Sequence, residues 1–358
     1  MQEKSNGMNY APKGKIKRVC DKGEFSIGVI GLDHGHIYGM CNGLTEAGAN
    51  VSLVYDPDPD KVMQFIQSFP EAKAAKSEDE ILEHRGIKLV ASASIPVKRG
   101  DLGCRVLDHQ KDFFSDKPPF TTKEQLERAR EKVKETGRHY AVYYSERVHV
   151  ESSVLAERLI EDGAIGRVLQ TINIASHRIN LKQRPRWFFD ASQYGGILTD
   201  LGCHQIEQFL YFTKAQDAQL VSSRTANYHY KSYQDFEDFG DAMLTADNGA
   251  TCYLRVDWFT PDGLGAWGDG RLFVLGTEGY IELRKYIDIA RDKEGDHLYL
   301  VDQKGEHYYN AAGKEGFPFF GSLIRDCLEQ THSAYSQETT FRAIELSLEA
   351  QEKAIRVE

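Results

Sequence analysis

The chain has 358 residues, enough for two hydrophobic cores, and its 41% hydrophobic and 27% charged content is ordinary for a globular enzyme. Its net charge is -10, and Lys and Arg are dispersed apart from Lys13, Lys15, Lys17 and Arg18. Nucleic acid is therefore excluded as the main partner, because phosphate binding needs a concentrated basic surface. No apolar run approaches a membrane span and the first twenty residues lack the apolar core of a secretory signal, so a cytoplasmic protein without membrane contact is expected.

The first half alternates short apolar runs with helical patterns, the signature of βαβ units and a parallel sheet. Phe25–Gly31 reads as a buried strand and His36–Ala47 as the helix after it. Val51–Tyr55 is a second strand, broken by Asp56-Pro57-Asp58-Pro59 before a helix over Asp60–Phe69. Ser77-Glu78-Asp79-Glu80 is a capping box opening another helix. Ile87–Ser94 gives a strand, Arg99–Gln110 a helix, and Phe113–Ser115 a short strand ending at Asp116-Lys117-Pro118-Pro119. Thr121-Thr122-Lys123-Glu124 opens a helix closed by Gly137, and His139–Tyr144 is the next strand. After about Ser145 the pattern changes. A helix over Glu151–Asp162 and a strand over Val168–Ala175 lead to an aromatic and arginine-rich loop and a helix near Tyr194–Phe212. Alternating runs follow at Phe239–Thr245, Thr251–Trp258, Arg271–Leu275 and Tyr280–Leu283, with the hairpin signal Asn248-Gly249 between the first two. Helices at Phe319–Glu329 and Thr339–Ala354 complete the chain. The expected fold is a Rossmann-type doubly wound α/β domain followed by an α+β domain with a large, open, mostly antiparallel sheet. The expected boundaries are an N-terminal extension over 1–22, a dinucleotide-binding domain over 23–145 and a substrate and oligomerisation domain over 146–358, whose last helices can pack back on the first domain.

Two places carry chemistry. Between the first strand and the first helix, where a dinucleotide fingerprint belongs, stands Gly31-Leu32-Asp33-His34-Gly35-His36. Only Gly31 keeps its place. Asp33 and His36 occupy the second and third glycine positions, and an aspartate beside a pyrophosphate needs His34, His36 or the helix N-terminus to offset it. Asp56 ends the second strand, where an acidic group binds the adenosine ribose, and no arginine follows it directly, which favours NAD over NADP. The second place is Gly195–His204, where Asp200 and His204 are four residues apart in a helical pattern and can converge on one small molecule. An imidazole beside a carboxylate moves protons near neutral pH. Lys117, after a strand and before two prolines, stands at the carboxyl end of a parallel strand, where α/β folds bind ligands. The six cysteines form no CxxC pair, and neither Cys203-His204 nor His34 with His36 has further ligands at metal-site spacing, so no metal is expected.

Asp116-Lys117-Pro118 resembles the Glu-Lys-Pro element of the Gfo/Idh/MocA oxidoreductases, the group that contains glucose–fructose oxidoreductase and the inositol dehydrogenases. Gly195–His204, about eighty residues on, resembles that family's glycine-rich helix with its Asp-x-x-x-His pair. Gly163-Ala164-Ile165-Gly166-Arg167-Val168 is similar to its turn into the second-domain sheet, and Arg184–Phe189 to the loop before its catalytic helix. The family's Thr-Pro-Asn-x-x-His stretch stands here as Ser94-Ile95-Pro96-Val97-Lys98-Arg99, without the His. The resemblance implies an NAD(P)-dependent oxidoreductase acting on a sugar, cyclitol or related polyol. It places Lys117 on the reacting oxygen, His204 as general base and Asp200 as the group that orients the pair. Cofactor contacts would come from Gly31, Asp33, His34, Gly35, His36, Asp56, Ser94, Pro96, Asp116 and Lys117. Substrate contacts would come from Arg147, Arg186, Trp187, Tyr194 and His204. An open sheet must cover its outer face, so a homodimer or homotetramer is expected. The alternative is a non-catalytic protein of the same fold that senses a nucleotide or sugar; the altered glycine turn favours it and the Lys117, Asp200, His204 set opposes it.

Overall fold

The computed structural model of the protein describes residues 7–15 and 17–358, which fall into two compact units. The first is Met8–Tyr143 with Phe317–Phe341. Here the short, continuous apolar runs become buried strands, joined at one edge by an exposed two-residue strand. They are β1 (Ser26–Ile30), β2 (Asn50–Tyr55), β3 (Lys73–Ala74), β4 (Ile87–Ser92), β5 (Asp112–Asp116) and β6 (Tyr140–Tyr143). All pairs are parallel, in the order β3-β2-β1-β4-β5-β6. The order reverses at β1, and in such sheets the ligand crevice lies outside the strand carboxyl ends at that point.

The connecting helices are α1 (His36–Glu46), α2 (Pro59–Ser68), α3 (Glu78–Glu83), α4 (Pro96–Asp108) and α5 (Lys123–Thr136). Their ends follow local chemistry. Asp58 caps α2 by accepting the Asp60 N–H, with Pro59 in the first position, where its missing donor costs nothing. Ser77 Oγ accepts the Glu80 N–H at 3.2 Å and opens α3. The cap of α5 lies one residue later than the sequence pattern suggests. Thr122 accepts the Gln125 N–H at 3.3 Å, and the Gln125 amide oxygen takes the Thr121 N–H at 2.9 Å. Gly137 then ends α5 at a φ of +67°, which glycine adopts without a Cβ penalty. The described residues ahead of β1 lie along α1. The Gly14 N–H donates to the Glu46 carboxylate, Asn42 Nδ2 donates to the Ala11 carbonyl, and the Val19 N–H reaches the Ala47 carbonyl at 2.9 Å. Helix α10 (Pro318–Glu329) also belongs to this unit, and Phe320 packs where Gly43 of α1 leaves room.

The second unit holds Tyr144–Gly316 and Arg342–Glu358, with Gly7. Its nine strands are β7 (Val168–His177), β8 (Ala218–Ala226), β9 (Phe239–Ala246), β10 (Thr251–Asp257), β11 (Gly268–Gly276), β12 (Tyr280–Arg284), β13 (His297–Asp302), β14 (Gly305–Asn310) and β15 (Ile355–Val357). They form one sheet in the order β14-β13-β12-β11-β7-β10-β9-β8-β15. Only β7–β10 and β8–β15 pair in parallel. Asn248-Gly249 turns β9 into β10, with Gly249 at a φ of +85°. Helices α6 (Ser145–Val148), α7 (Glu151–Glu161), α8 (Ala191–Tyr194), α9 (Cys203–Thr213) and the later part of α11 (Gln337–Glu352) complete the unit. One core gathers Phe188, Tyr194, Leu198, Phe209, Leu254 and Trp258; another packs Leu155 and Ile160 of α7 on Leu272, Ile281 and Leu298. Val221, Met243, Phe273, Leu275 and Tyr280, all on or beside sheet strands, are exposed.

The continuous helix expected near Tyr194–Phe212 is replaced by a break. Gly195 and Gly196 both sit at a φ of +90°, outside the right-handed helical region. Leu198–Gly202 then winds as a π-helix before α9 begins at Cys203. At Gly196 a Cβ would stand 2.2 Å from the Gln351 side chain, whose amide oxygen accepts the Leu198 N–H at 2.9 Å. The strand β8 escaped the sequence reading because its register shifts between Leu220 and Ser222, which breaks the two-residue alternation.

Packing in the first unit generates a stability prediction. A Cβ on Gly103 would lie 2.4 Å from the Tyr140 ring and 2.8 Å from Phe113. Gly103→Ala should cost about 1–3 kcal/mol in urea unfolding through overpacking. An unchanged unfolding midpoint would contradict the packing described.

Candidate active site

Gly31 ends β1 at a φ of +85°, and a Cβ there would stand 2.6 Å from the Ser94 Cβ. Only glycine fits this approach between the β1 and β4 ends. The Gly31 N–H reaches the Tyr55 carbonyl at 3.0 Å, and the Asp56 carboxylate accepts from Leu32 N at 2.7 Å and Asp58 N at 2.9 Å. Asp56 thus braces the turn from beneath, with its side chain 1% exposed.

Asp33, in the second glycine position, has its charge compensated. Lys61 of α2 donates to Asp33 Oδ1 at 2.6 Å, and the Ile95 N–H donates to Oδ2 at 3.1 Å. Burial would lower the Lys61 ammonium, but Asp33, Asp56 and Asp58 hold it above its usual range. Gly35 precedes α1 and offers no side-chain cap, and a Cβ on it would meet the Met8 carbonyl at 2.3 Å. Its glycine therefore serves the packing of the N-terminal segment. The cradle at Gly31, the helix N-terminus of α1 and a neutralised Asp33 fit a dinucleotide pyrophosphate.

Arg99 organises the end of β5. Its guanidinium donates to the Ser94 carbonyl at 2.7 Å, the Pro118 carbonyl at 3.1 Å, the Lys117 carbonyl, and Asp116 Oδ2 at 3.0 Å. His36 Nδ1 donates to Asp116 Oδ1 at 2.8 Å, and His34 lies edge-on to His36 with ring centroids 4.2 Å apart. Burial alone would raise Asp116, but Arg99, His36 and His34 together hold it well below the usual carboxylate range. Burial, helped by His36, keeps His34 well below its usual value. Lys117, buried and joined to Pro118 by a cis peptide, is therefore fixed at its backbone by Arg99. Pro96 opens α4 in the same corner, one residue after Ile95. The fold adds Asp116 to His34 and His36, so three ligand-type atoms lie within 4.8 Å of one another. The guanidinium on the same carboxylate opposes a divalent cation there, and the group acts as an ion-pair cluster.

In the second unit, Asp200 lies in the π-helical turn and His204 in the first turn of α9. The His204 carbonyl accepts from Gln208 Nε2 at 2.9 Å, and its ring stands edge-on to Tyr144 at 6.1 Å. The Asp200 charge acts on Arg184 and Tyr194. Arg147 is committed to a buried pair with Glu207 at 2.6 Å and lies 3.7 Å over the Tyr211 ring. Tyr194 belongs to the core, where its hydroxyl accepts the Glu237 N–H at 3.2 Å, and Trp187 packs against the same cluster. Of the expected substrate residues, Arg186 lies exposed on a short turn and His204 is buried. Sequence reasoning missed Lys61, Arg99, Glu146 and Lys285. Only Arg99 left a signal, as the residue standing where the family pattern has His.

Comparison with known proteins agrees with this architecture. Residues 25–144 match the description "Oxidoreductase family, NAD-binding Rossmann fold", and residues 154–282 match the GFO/IDH/MocA C-terminal domain. A crystal structure from Erwinia carotovora atroseptica SCRI1043, of a protein assigned as an oxidoreductase, is 50% identical; the match covers 93% of this chain and all of that one, with a TM-score of 0.91. The scyllo-inositol 2-dehydrogenase (NAD(+)) of Bacillus subtilis (strain 168) is 26% identical over 314 residues, 86% of this chain and 84% of that protein. A 3-ketoreductase of Actinomadura kijaniata, solved with NADP and TDP-benzene, shares the fold at 18% identity and a TM-score of 0.73, over 93% of this chain and 98% of that one. The chain belongs to the Gfo/Idh/MocA family of oxidoreductases and carries its NAD-binding Rossmann domain. Among the described residues, no helix is long and apolar enough to cross a membrane.

Two outcomes follow from this geometry. Arg99→Met strands the buried Asp116 carboxylate and should cost about 3–5 kcal/mol in urea unfolding near neutral pH. Asp116 has a depressed folded value, so its contribution is present above the ordinary carboxylate range and is lost as pH falls through that folded value. The gap between wild type and variant should narrow on acidification, and a constant gap would contradict the clamp. Lys61→Met uncovers the Asp33 charge at the phosphate turn and should weaken NAD binding about tenfold in calorimetry. Adding Asp33→Gly should restore it; unchanged affinity in Lys61→Met would contradict the compensation.

Proposed function

We propose that the protein is an NAD-dependent dehydrogenase or reductase that exchanges hydride with a hydroxyl-bearing carbon of a sugar, cyclitol or related polyol. The observation that carries this reading is the clamped Asp116-Lys117-Pro118 corner, which presents a buried lysine at the carboxyl end of β5 in a dinucleotide-binding sheet. The relative in Bacillus subtilis, whose name states action on scyllo-inositol, supports the substrate class. NAD, when bound, supplies the hydride acceptor. Gly31, Asp33, His34, Gly35, His36, Asp56, Ser94 and Pro96 would line its site, and Asp56, with no arginine directly after it, favours NAD over NADP.

The protein's own task is the proton. Lys117 donates a hydrogen bond to the reacting oxygen and lowers the cost of negative charge developing there. His204 takes the hydroxyl proton as general base, or returns it in reduction. Asp200 shapes the field at the start of α9. We also propose a homodimer or homotetramer through the outer face of the nine-stranded sheet, supported by the exposed Val221, Met243, Phe273, Leu275 and Tyr280.

Lys117→Met and His204→Ala should each lower turnover on a responsive polyol by roughly 10²–10⁴-fold, the usual worth of a positioned proton-transfer group, while NAD still binds in calorimetry. A polyol panel beginning with scyllo-inositol, followed at the nicotinamide absorbance, checks this. Near wild-type turnover in both variants would overturn the assignment. Tight NAD binding with no turnover on any polyol would favour a sensing protein of the same fold.

A further inference from the structure

A buried charge pair beside His204, Glu146 with Lys285, takes no part in the roles above. Glu146 on α6 is 2% exposed, Lys285, just after β12, is 3% exposed, and His204 is 2% exposed. Helix α6 and the residue before it meet α9 through Tyr144, Glu146 and Arg147. The Tyr144 ring meets His204 edge-on, Glu146 Oε2 accepts from Gln205 Nε2 at 3.0 Å, and Arg147 pairs with Glu207. Lys285 Nζ lies 3.5 Å from Glu146 Oε2 and donates to Gln208 Oε1 at 2.5 Å. The other face of Gln208 donates to the His204 carbonyl. Glu146 Oε1 accepts no hydrogen bond from a described residue, and His177 Nε2 at the end of β7 stands 3.6 Å from it.

An imidazole this deeply buried holds a proton poorly, because desolvation disfavours the cation. A general base in such a place needs a permanent anion close by. Asp200 shares the His204 segment, but its charge also acts on Arg184 and Tyr194. Glu146 is a second anion of this kind, hydrogen-bonded to Gln205, the residue that follows His204. Burial would raise it, yet Lys285, His204, His177 and the Gln205 hydrogen bond bring it down to about 2, so it is ionised wherever an imidazole titrates. Lys285 is itself lowered by burial and held charged by Glu146.

We propose that Glu146 is a positioning residue for His204: its buried carboxylate supplies the negative charge that lets the imidazole take a proton, and Lys285, 3.5 Å from that carboxylate, offsets part of its charge. This rests on His204 as the proton carrier. The charged and titratable groups around His204 are Tyr144 and Glu146 at α6, Lys285 after β12, His177 on β7, the Arg147–Glu207 pair, and Asp200 with Arg184. Nothing covalent happens at Glu146, and the proton moves only between substrate oxygen and imidazole.

The test is an NMR titration of the histidine ring nitrogens in the full-length protein, with the His204 signals assigned by their loss in His204→Asn. Glu146→Gln should lower the His204 midpoint so that its acid constant rises about three- to tenfold, while Glu146→Asp keeps most of the wild-type value. Lys285→Gln should move the midpoint the opposite way, because the carboxylate then acts unopposed; this arm decides the matter if Glu146→Gln does not fold. A purely structural role would lower the unfolding midpoint and leave the His204 titration where it was, and that result overturns the proposal. The titration needs no substrate. Absence of turnover on every polyol would defeat the dehydrogenase reading alone, and an unmoved His204 would defeat the role of Glu146 alone.

Discussion

The Arg99 guanidinium is the constraint on which the nucleotide-binding unit depends. A buried arginine is tolerable only when its donors are used, and here they are spread over the Ser94, Lys117 and Pro118 carbonyls and the Asp116 carboxylate. The same carboxylate receives His36 from the start of α1. One ion pair therefore joins the carboxyl ends of β4 and β5 to the helix that follows β1. Lys117 inherits its position from that arrangement. In the proposed function its side chain adds the chemistry, while Arg99 fixes the backbone that carries it.

The altered glycine turn follows the same logic of local compensation. A glycine in the second position lets a pyrophosphate approach the backbone; Asp33 introduces a charge that would repel it. Lys61 removes that repulsion from the next helix, and Asp56 holds the turn by two backbone N–H groups. The turn thus exchanges conformational permissiveness for a charge-neutral, hydrogen-bonded frame. In the second unit, Glu146 with Lys285 and Arg147 with Glu207 are neutral pairs that fasten α6 to α9 and to the end of β12. In both units ion pairs of this kind are buried as compensated groups.

Much of this was legible in the chain because periodicity is local. Runs such as Ile27–Ile30 and Leu89–Ala91 announce parallel strands, Asn248-Gly249 announces a hairpin, and Asp116-Lys117-Pro118 with Gly195–His204 marks the family. What was not legible depends on partners distant in sequence. Asp33 looks repulsive until Lys61 is placed beside it, and Arg99 looks like a helix-surface residue until β5 closes over it. Glu146 sits in a short segment with no periodicity of its own, and Lys285 follows an ordinary strand. The continuous helix expected near Tyr194–Phe212 failed for a different reason. Its first two glycines, taken as room for a ligand, adopt left-handed backbone and start a π-helical turn.

The central claim is that this chain moves hydride between a polyol carbon and a nicotinamide while its own side chains move the proton. The most direct measurement is incubation with NAD and a polyol deuterated at its hydroxyl-bearing carbons, followed by mass analysis of the nicotinamide product. The account predicts reduced cofactor heavier by one mass unit, with deuterium from carbon and none gained from heavy water. Reduced cofactor without the label, or none from any polyol under conditions where NAD is bound, would contradict it.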